Sequence, residues 1–309
     1  MRFAIVGAGG VGGYFGGRLA QSGADVTFIT RGATREALRT NGLRVDSIAG
    51  DFHLPRVNVD PTGTFDAVLL CVKAWQIADA ARSILPFLHD TTAVVPLENG
   101  IDAPETLIPI VGESRTLGGL CAIISFVVAP GHIKHAGAEP LVALGELDHR
   151  VSARAAAIRD AFVAASVKCE IPPDIRRSMW TKFLFIAPVS GIGAVTRVPI
   201  GAWRTTSESR DLCERMLREI IALANARGIT LAEDAIAATL KRIDNLPYHS
   251  TASLQRDVID GKPSELDAQL GAIVRMARES NVATPVTEVV YHALLPQERR
   301  ARLELGERT

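Results

Sequence analysis

Residues 7–12 read Gly7-Ala8-Gly9-Gly10-Val11-Gly12, directly after the apolar run 3–6 and at the start of a helical pattern. This GxGxxG constrains the chain more than any other feature. Alone it is a weak signal. Here a strand, a glycine turn, a helix and a second strand at 25–29 all fall within the first thirty residues, which is the setting of a dinucleotide site. Gly7 permits the tight turn. Gly9 removes a side chain where a pyrophosphate must approach the backbone, and Gly12 lets the helix pack closely on the strand. The backbone of Ala8, Gly10 and Val11 completes the turn, and the helix start offers phosphates its N–H groups and positive dipole end.

The end of the second strand selects between NADH and NADPH. An acidic residue there would take up the ribose 2′-hydroxyl. The sequence reads Val26-Thr27-Phe28-Ile29-Thr30-Arg31-Gly32, with Arg31 and no carboxylate. A guanidinium suits a 2′-phosphate through paired, charge-assisted hydrogen bonds. The expectation is NADPH, and the alternative for Arg31 is a solvated loop cation.

The first half continues the alternation. Strands are expected at 3–6, 25–29, 67–72, 92–95 and 116–124, with helices at 12–22 and 75–87 among the segments between them. Apolar runs bounded by turns suit strands buried on both faces of a parallel sheet. The pattern predicts an α/β, Rossmann-type doubly wound domain. From 131 to 144 it shifts to short, turn-bounded strands of an antiparallel edge, and 151–165 reads as one more helix. The Pro172-Pro173 pair then interrupts regular structure. The expected division is 1–171 for the NADP-binding domain and 172–309 for an all-helical substrate or dimerisation domain. Helical periodicities there cover 174–195, 207–227, 232–243, 264–280 and 285–295. Asp174 is placed to cap the first of them and Gly228 to end the second.

Composition narrows the function classes. Apolar residues make up 47% of the 309 and the net charge is zero, so nothing points to nucleic acid or another polyanion. The four cysteines, Cys71, Cys121, Cys169 and Cys213, are far apart and suggest neither a zinc site nor a disulfide framework. His132 and His135 lie in a strand–turn and make a poor metal pair. The N-terminus reads as a strand rather than a signal peptide, and no unbroken apolar run has membrane length. A cytoplasmic protein with no membrane or nucleic-acid partner is expected. The stripe Met216, Leu217, Ile220, Ile221, Leu223 and Ala224 is core or a homodimer contact. The charged tail 297–309 reads as solvated.

Taken together, the motifs resemble the ketopantoate reductase family, the NADPH-dependent 2-dehydropantoate 2-reductases. The resemblance rests on the glycine turn with Arg31, Cys71-Val72-Lys73, Leu97-Glu98-Asn99-Gly100 and Pro130-Gly131-His132-Ile133. It also rests on Trp180-Thr181-Lys182-Phe183, Ser253-Leu254 and Glu265-Leu266-Asp267. It implies a Rossmann-type domain, a helical domain, an active site in the cleft between them, and hydride transfer from NADPH to the ketone of a small 2-oxo acid. In the family this is a step of pantothenate and coenzyme A synthesis.

Ketone reduction builds negative charge on oxygen and needs a proton donor close by. The resemblance makes Lys182 the general acid. Its apolar surroundings, Met179-Trp180-Thr181-Lys182-Phe183-Leu184-Phe185-Ile186, would lower its pKa by partial burial. The resemblance also brings Glu265 to Lys182, the ligand or the cofactor, and a carboxylate there would oppose that shift. It assigns Ser253 to the substrate carboxylate, Asn99 to cofactor ribose and substrate, and Lys73 and, more weakly, Gln76 to the cofactor. Simpler alternatives are a snorkelling lysine for Lys182, a helix-start charge for Glu265, a helix cap for Ser253, an Asn-Gly turn for Asn99 and a surface lysine for Lys73.

One departure concerns the substrate. Many family members carry asparagines four and eight residues after the lysine, on the same helical face. Here Ile186 and Ser190 stand there. Ile186 cannot hydrogen-bond a substrate hydroxyl, so a different and more apolar 2-oxo acid competes with ketopantoate recognised through Ser190 and Ser253. An NADPH-binding sensor without turnover is the alternative from another class, and an opine-type dehydrogenase acting on imines is a third.

Overall fold

A computed structural model describes residues 1–306, which fall into two compact units. The first contains Met1–Glu98 and Ala103–Ser178. The second contains Asn99–Asp102 and the chain from Met179 onward.

The first unit runs β1 (Arg2–Val6), α1 (Gly10–Gln21), β2 (Asp25–Ile29), α2 (Gly32–Asn41), β3 (Leu43–Ser47), β4 (Phe52–Leu54) and β5 (Phe65–Leu70). It continues with α3 (Ile77–Ile84), β6 (Leu88–Pro96), α4 (Ala103–Val111), β7 (Leu117–Ala129), β8 (His132–Glu146), α5 (Ala153–Ala164) and β9 (Lys168–Glu170). Four strands make a parallel sheet in the order β2-β1-β5-β6. Along β1, Phe3 and Ile5 enter one apolar cluster while Ala4 and Val6 enter another, so both faces are covered. The α/β fold class read from the sequence is the one observed.

A second sheet has the order β4-β3-β8-β7, with β9 beside β8. This corrects the reading of 131–144 as short edge strands. The segment is one long strand in the interior of that sheet, paired antiparallel with β7 and parallel with β3 and β9. Register shifts between Ala122 and Ile124 and between Val127 and Ala129 let the long hairpin bend. Helix α1 lies between the two sheets, and its glycines make the room. A Cβ on Gly16 would meet Phe28 and Ile5 of the parallel sheet. About a quarter turn round the helix, Gly13 and Gly17 would meet Ile133, Leu43 and Phe52 of the second sheet. The expected strand 67–72 stops at Leu70, because the Gln76 side chain accepts the Lys73 N–H and folds 71–76 into a turn.

The helical unit contains most of α6 (Ile175–Thr196), then α7 (Ile200–Thr205), α8 (Ser207–Ala226), α9 (Ala235–Asp244) and α10 (Ser253–Ile259). A π turn (Asp267–Gly271), α11 (Ala272–Glu279) and α12 (Pro285–Gly306) complete it. Asp174 caps α6 by accepting the Arg177 N–H at 2.9 Å, and Gly228, at φ +77°, follows the end of α8. Helix α6 is long and apolar enough to cross a membrane, but 67% of its apolar window is buried within the protein, as befits a core helix. In the α8 stripe Met216, Leu217, Ile220, Leu223 and Ala224 are buried, so it is core.

Two helical expectations need correction. The span 264–280 is not one α-helix, because the π turn interrupts it. The chain from 297 is not a solvated tail as far as residue 306. Helix α12 continues through Pro296, and buried Glu298 ties it inward. The Glu298 carboxylate accepts the Ser264 N–H and hydroxyl and pairs with Arg302 at 2.7 Å. Residues 307–309 of the expected tail lie outside the described residues.

Candidate active site

In the first unit the carboxyl ends of the parallel strands are level. Val6 stands opposite Ile29 and Leu70, and Leu70 opposite Pro96. The segments that leave this edge are the glycine turn, Thr30-Arg31, Cys71-Val72-Lys73 and Leu97-Glu98. Open α/β sheets bind their ligands along this edge.

The glycine turn has the properties a pyrophosphate requires. Gly7 holds φ +91°, and a Cβ there would press on the Cys71 carbonyl and Val72. Gly12 is closed in by the Gly7 carbonyl, Cys71 and Ile5. Gly9 differs, since apart from its chain neighbours no described residue lies within 4 Å of its would-be Cβ. No side chain caps the start of α1 and no acidic residue stands in its first turn. The N-terminal amides and the positive end of the helix dipole are therefore left for an anion.

Arg31 is exposed at the start of α2, one residue beyond Thr30, and its guanidinium has no hydrogen-bond or ion-pair partner among the described residues. The neighbouring guanidinium groups are committed: Arg35 and Arg39 pair with Asp60 at 2.6 and 3.0 Å. Lys73 holds its ammonium 5.9 Å from the centre of the Trp75 ring. Gln76 is occupied by the turn, with its oxygen 3.3 Å from the Lys73 amide nitrogen. The histidines of the 130s serve the second sheet. His132 bonds Asp46 at 2.8 Å and, with Arg44, holds that carboxyl below its usual range, while His135 bonds Ser47 at 2.8 Å.

The helical unit gathers three of the expected residues around one amide. The half-buried Lys182 ammonium donates to Asn99 Oδ1 at 2.9 Å, and Asn99 Nδ2 donates to Glu265 Oε2 at 3.3 Å. Charge fixes the amide's direction, with its oxygen toward the cation and its nitrogen toward the carboxylate. Glu265 is buried. Asn99 belongs to this unit although Glu98, its neighbour in the chain, belongs to the first. The segment is held again at Asp102, 3.4 Å from Arg275, which also pairs with Asp267 at 2.8 Å.

The other expected residues fall into two groups. Lys182, Phe185 and Ile186 are partly open on α6, while Phe183, Leu184, Ala187, Val189 and Ser190 are buried. Ser190 Oγ has no hydrogen-bond partner among the described residues. Ser253 opens α10, half-buried, and its hydroxyl caps nothing, because Ala252 holds the cap position. Sequence reasoning missed Glu298 and Arg302. They grip Ser264, the residue before Glu265, and Arg302 also donates to the Ser264 carbonyl at 3.0 Å. A pair of charges thirty-odd residues downstream carries no local signal of that task.

Two family models and several known proteins match this chain over most of its length. The family described as Ketopantoate reductase PanE/ApbA matches residues 3–149, and its C-terminal counterpart matches residues 174–298. The chain is 32% identical to the protein named uncharacterized oxidoreductase YkpB of Bacillus subtilis (strain 168), over 94% of this chain and 97% of that one. It is 28% identical to the 2-dehydropantoate 2-reductase of Nostoc sp. (strain PCC 7120 / SAG 25.82 / UTEX 2576), over 95% and 94% of the two chains. Among solved structures, the 2-dehydropantoate 2-reductase from Geobacter metallireducens GS-15 superposes with a TM-score of 0.89 at 31% identity, covering 96% of this chain and 99% of that one.

Proposed function

The chain belongs to the ketopantoate reductase family, and on that premise we propose that it reduces a small 2-oxo acid to the 2-hydroxy acid with NADPH, in the cytoplasm. Ketopantoate is the first candidate substrate, which would place the reaction in pantothenate synthesis. The observation that carries the reading is the Lys182–Asn99–Glu265 chain of hydrogen bonds. It holds an ammonium group in one orientation inside a largely apolar helix, as a proton donor to a carbonyl oxygen must be held. The glycine turn and the start of α1 would hold the pyrophosphate, and Arg31 the 2′-phosphate. The dinucleotide supplies the hydride when bound. Lys182 then hydrogen-bonds the ketone oxygen, offsets its growing charge and gives it a proton. Glu265, acting through Asn99, keeps the lysine in place.

A second reading keeps the chemistry and changes the substrate. Ile186 offers no hydrogen bond and Ser190 is sealed in the protein, which favours a 2-oxo acid other than ketopantoate. The test is NADPH oxidation at 340 nm with ketopantoate and a panel of 2-oxo acids. Turnover led by ketopantoate supports the first reading, and turnover led by another member supports the second. Binding of NADPH with no turnover of any ketone would overturn both in favour of a sensor, and turnover of imines alone would indicate an opine-type dehydrogenase.

A further inference from the structure

Helix α9 presses Arg242 onto Phe185, with the guanidinium carbon 3.9 Å from the ring centroid. No carboxylate pairs with Arg242 among the described residues, and burial alone holds its pKa below the ordinary arginine value. Its neighbours are engaged elsewhere. Asp244 pairs with Arg210 at 2.6 Å, and Arg204 takes the carbonyls of Ile243 and Leu246. Arg275, by contrast, has both Asp267 and Asp102. Arg242 is nonetheless exposed, so its guanidinium, though it rests on the ring, is open to an anion arriving from solvent.

Its position indicates which anion. Phe185 is three residues from Lys182 and adjoins Ile186, and all three lie on a partly open strip of α6. Residues three and four apart share a helix face. Arg242 therefore stands over the strip that presents the proton donor. With no hydrogen-bond partner among the described residues, the guanidinium over the ring keeps its N–H groups free, the fork that accepts a carboxylate through two hydrogen bonds.

We propose that Arg242 is a specificity-determining residue that binds a carboxylate of the 2-oxo acid reduced at Lys182. The inference rests on the reductase reading above. The carboxylate is either the one beside the ketone or a second one at the far end of the substrate. Either way the arginine supplies the polar recognition that Ile186 lacks.

The test compares the wild type with R242M, which keeps much of the packing on Phe185, and R242K, which keeps the charge but not the fork. Ketopantoate serves as monoacid and 2-oxoglutarate as diacid. KM should rise about 10–100-fold in R242M with kcat far less affected, and R242K should recover only part of the loss. A rise for both acids assigns the carboxylate beside the ketone, and a rise for the diacid alone assigns the far one. Unchanged KM for both, or equal losses in kcat and KM with a lowered melting temperature, would overturn the proposal. If the wild type reduces neither acid, the comparison is made with the 2-oxo acid that leads the panel, and if it reduces none of the panel the reductase reading fails first. Calorimetry with oxamate, an unreactive analogue of a 2-oxo acid, still judges Arg242: binding about 10–100-fold weaker in R242M upholds the anion site, and equal binding removes it.

Discussion

The glycine turn draws all its parts from six consecutive residues and works through backbone, whereas the lysine site works through side chains separated by 83 and 166 positions. The first is set by what is missing. Side chains are absent at Gly7, Gly9 and Gly12, and so is any cap or acidic residue at the start of α1. The second is set by what is brought in, with Asn99 carried on a four-residue segment and Glu265 fixed through Ser264 by Glu298. A cofactor shared by many enzymes needs only the first kind of site. A particular substrate needs the second, and there a single side chain can change the outcome.

That contrast makes the lysine site the place where one substitution should cost most. Lys182→Ala removes the proton donor and should lower kcat about 10²–10⁴-fold. The dissociation constant for NADPH, followed by cofactor fluorescence, should stay near the wild-type value. If turnover is unchanged, Lys182 has no part in the chemistry. If NADPH binding is lost as well, the two regions are not independent in the way described.

Arg31→Asp sharpens the comparison from the other side, because the proposed reading gives the 2′-phosphate to Arg31. The ratio of kcat/KM for NADPH to that for NADH should fall about 10–100-fold, the worth of charge-assisted hydrogen bonds to a phosphate. Turnover with saturating NADPH should change little. An unaltered ratio would place the 2′-phosphate elsewhere.

The same contrast explains what could be read from the chain. The turn was legible because sequence neighbours are its spatial neighbours, and because steric demands at Gly7 and Gly12 leave a fixed spacing. In the second unit α6, α8, α9 and the first half of α12 were legible through their periodicity, while the short α7 and α10 were not. The second sheet was not. Strands β3, β4 and β9 are three to five residues long, and β3 alternates buried Leu43 and Val45 with exposed Arg44, too short a run to stand out from loop. Lys182, Asn99 and Glu265 were all singled out by resemblance, Asn99 for ribose and substrate, but that its amide joins the other two follows from no local pattern. Glu298 looked like tail charge because its partner, Ser264, is 34 residues away. Arg242 sat unremarked in an amphipathic helix for the same reason.

A pair of alanine substitutions, with the smallest expected effects, separates the two jobs a glycine performs in the turn. At Gly12 a Cβ would run into the Gly7 carbonyl, with Cys71 and Ile5 close behind. Two of those contacts are strand or turn groups that cannot swing aside, so overpacking of about 1–3 kcal/mol is expected, offset by about 1 kcal/mol of better helix propensity. Gly12→Ala should therefore lower the melting temperature. At Gly9 the backbone, at φ −77° and ψ −161°, is open to any residue, and apart from its chain neighbours no described residue lies within 4 Å of a Cβ placed there. Gly9→Ala should leave thermal stability within about 0.5 kcal/mol and weaken NADPH binding, because the methyl enters the volume assigned to the pyrophosphate. Thermal unfolding and NADPH titration of both variants give four numbers. If Gly9→Ala binds NADPH as the wild type does, the open space at Gly9 is not where the phosphates lie, and the cradle must be redrawn around the amides of α1 alone.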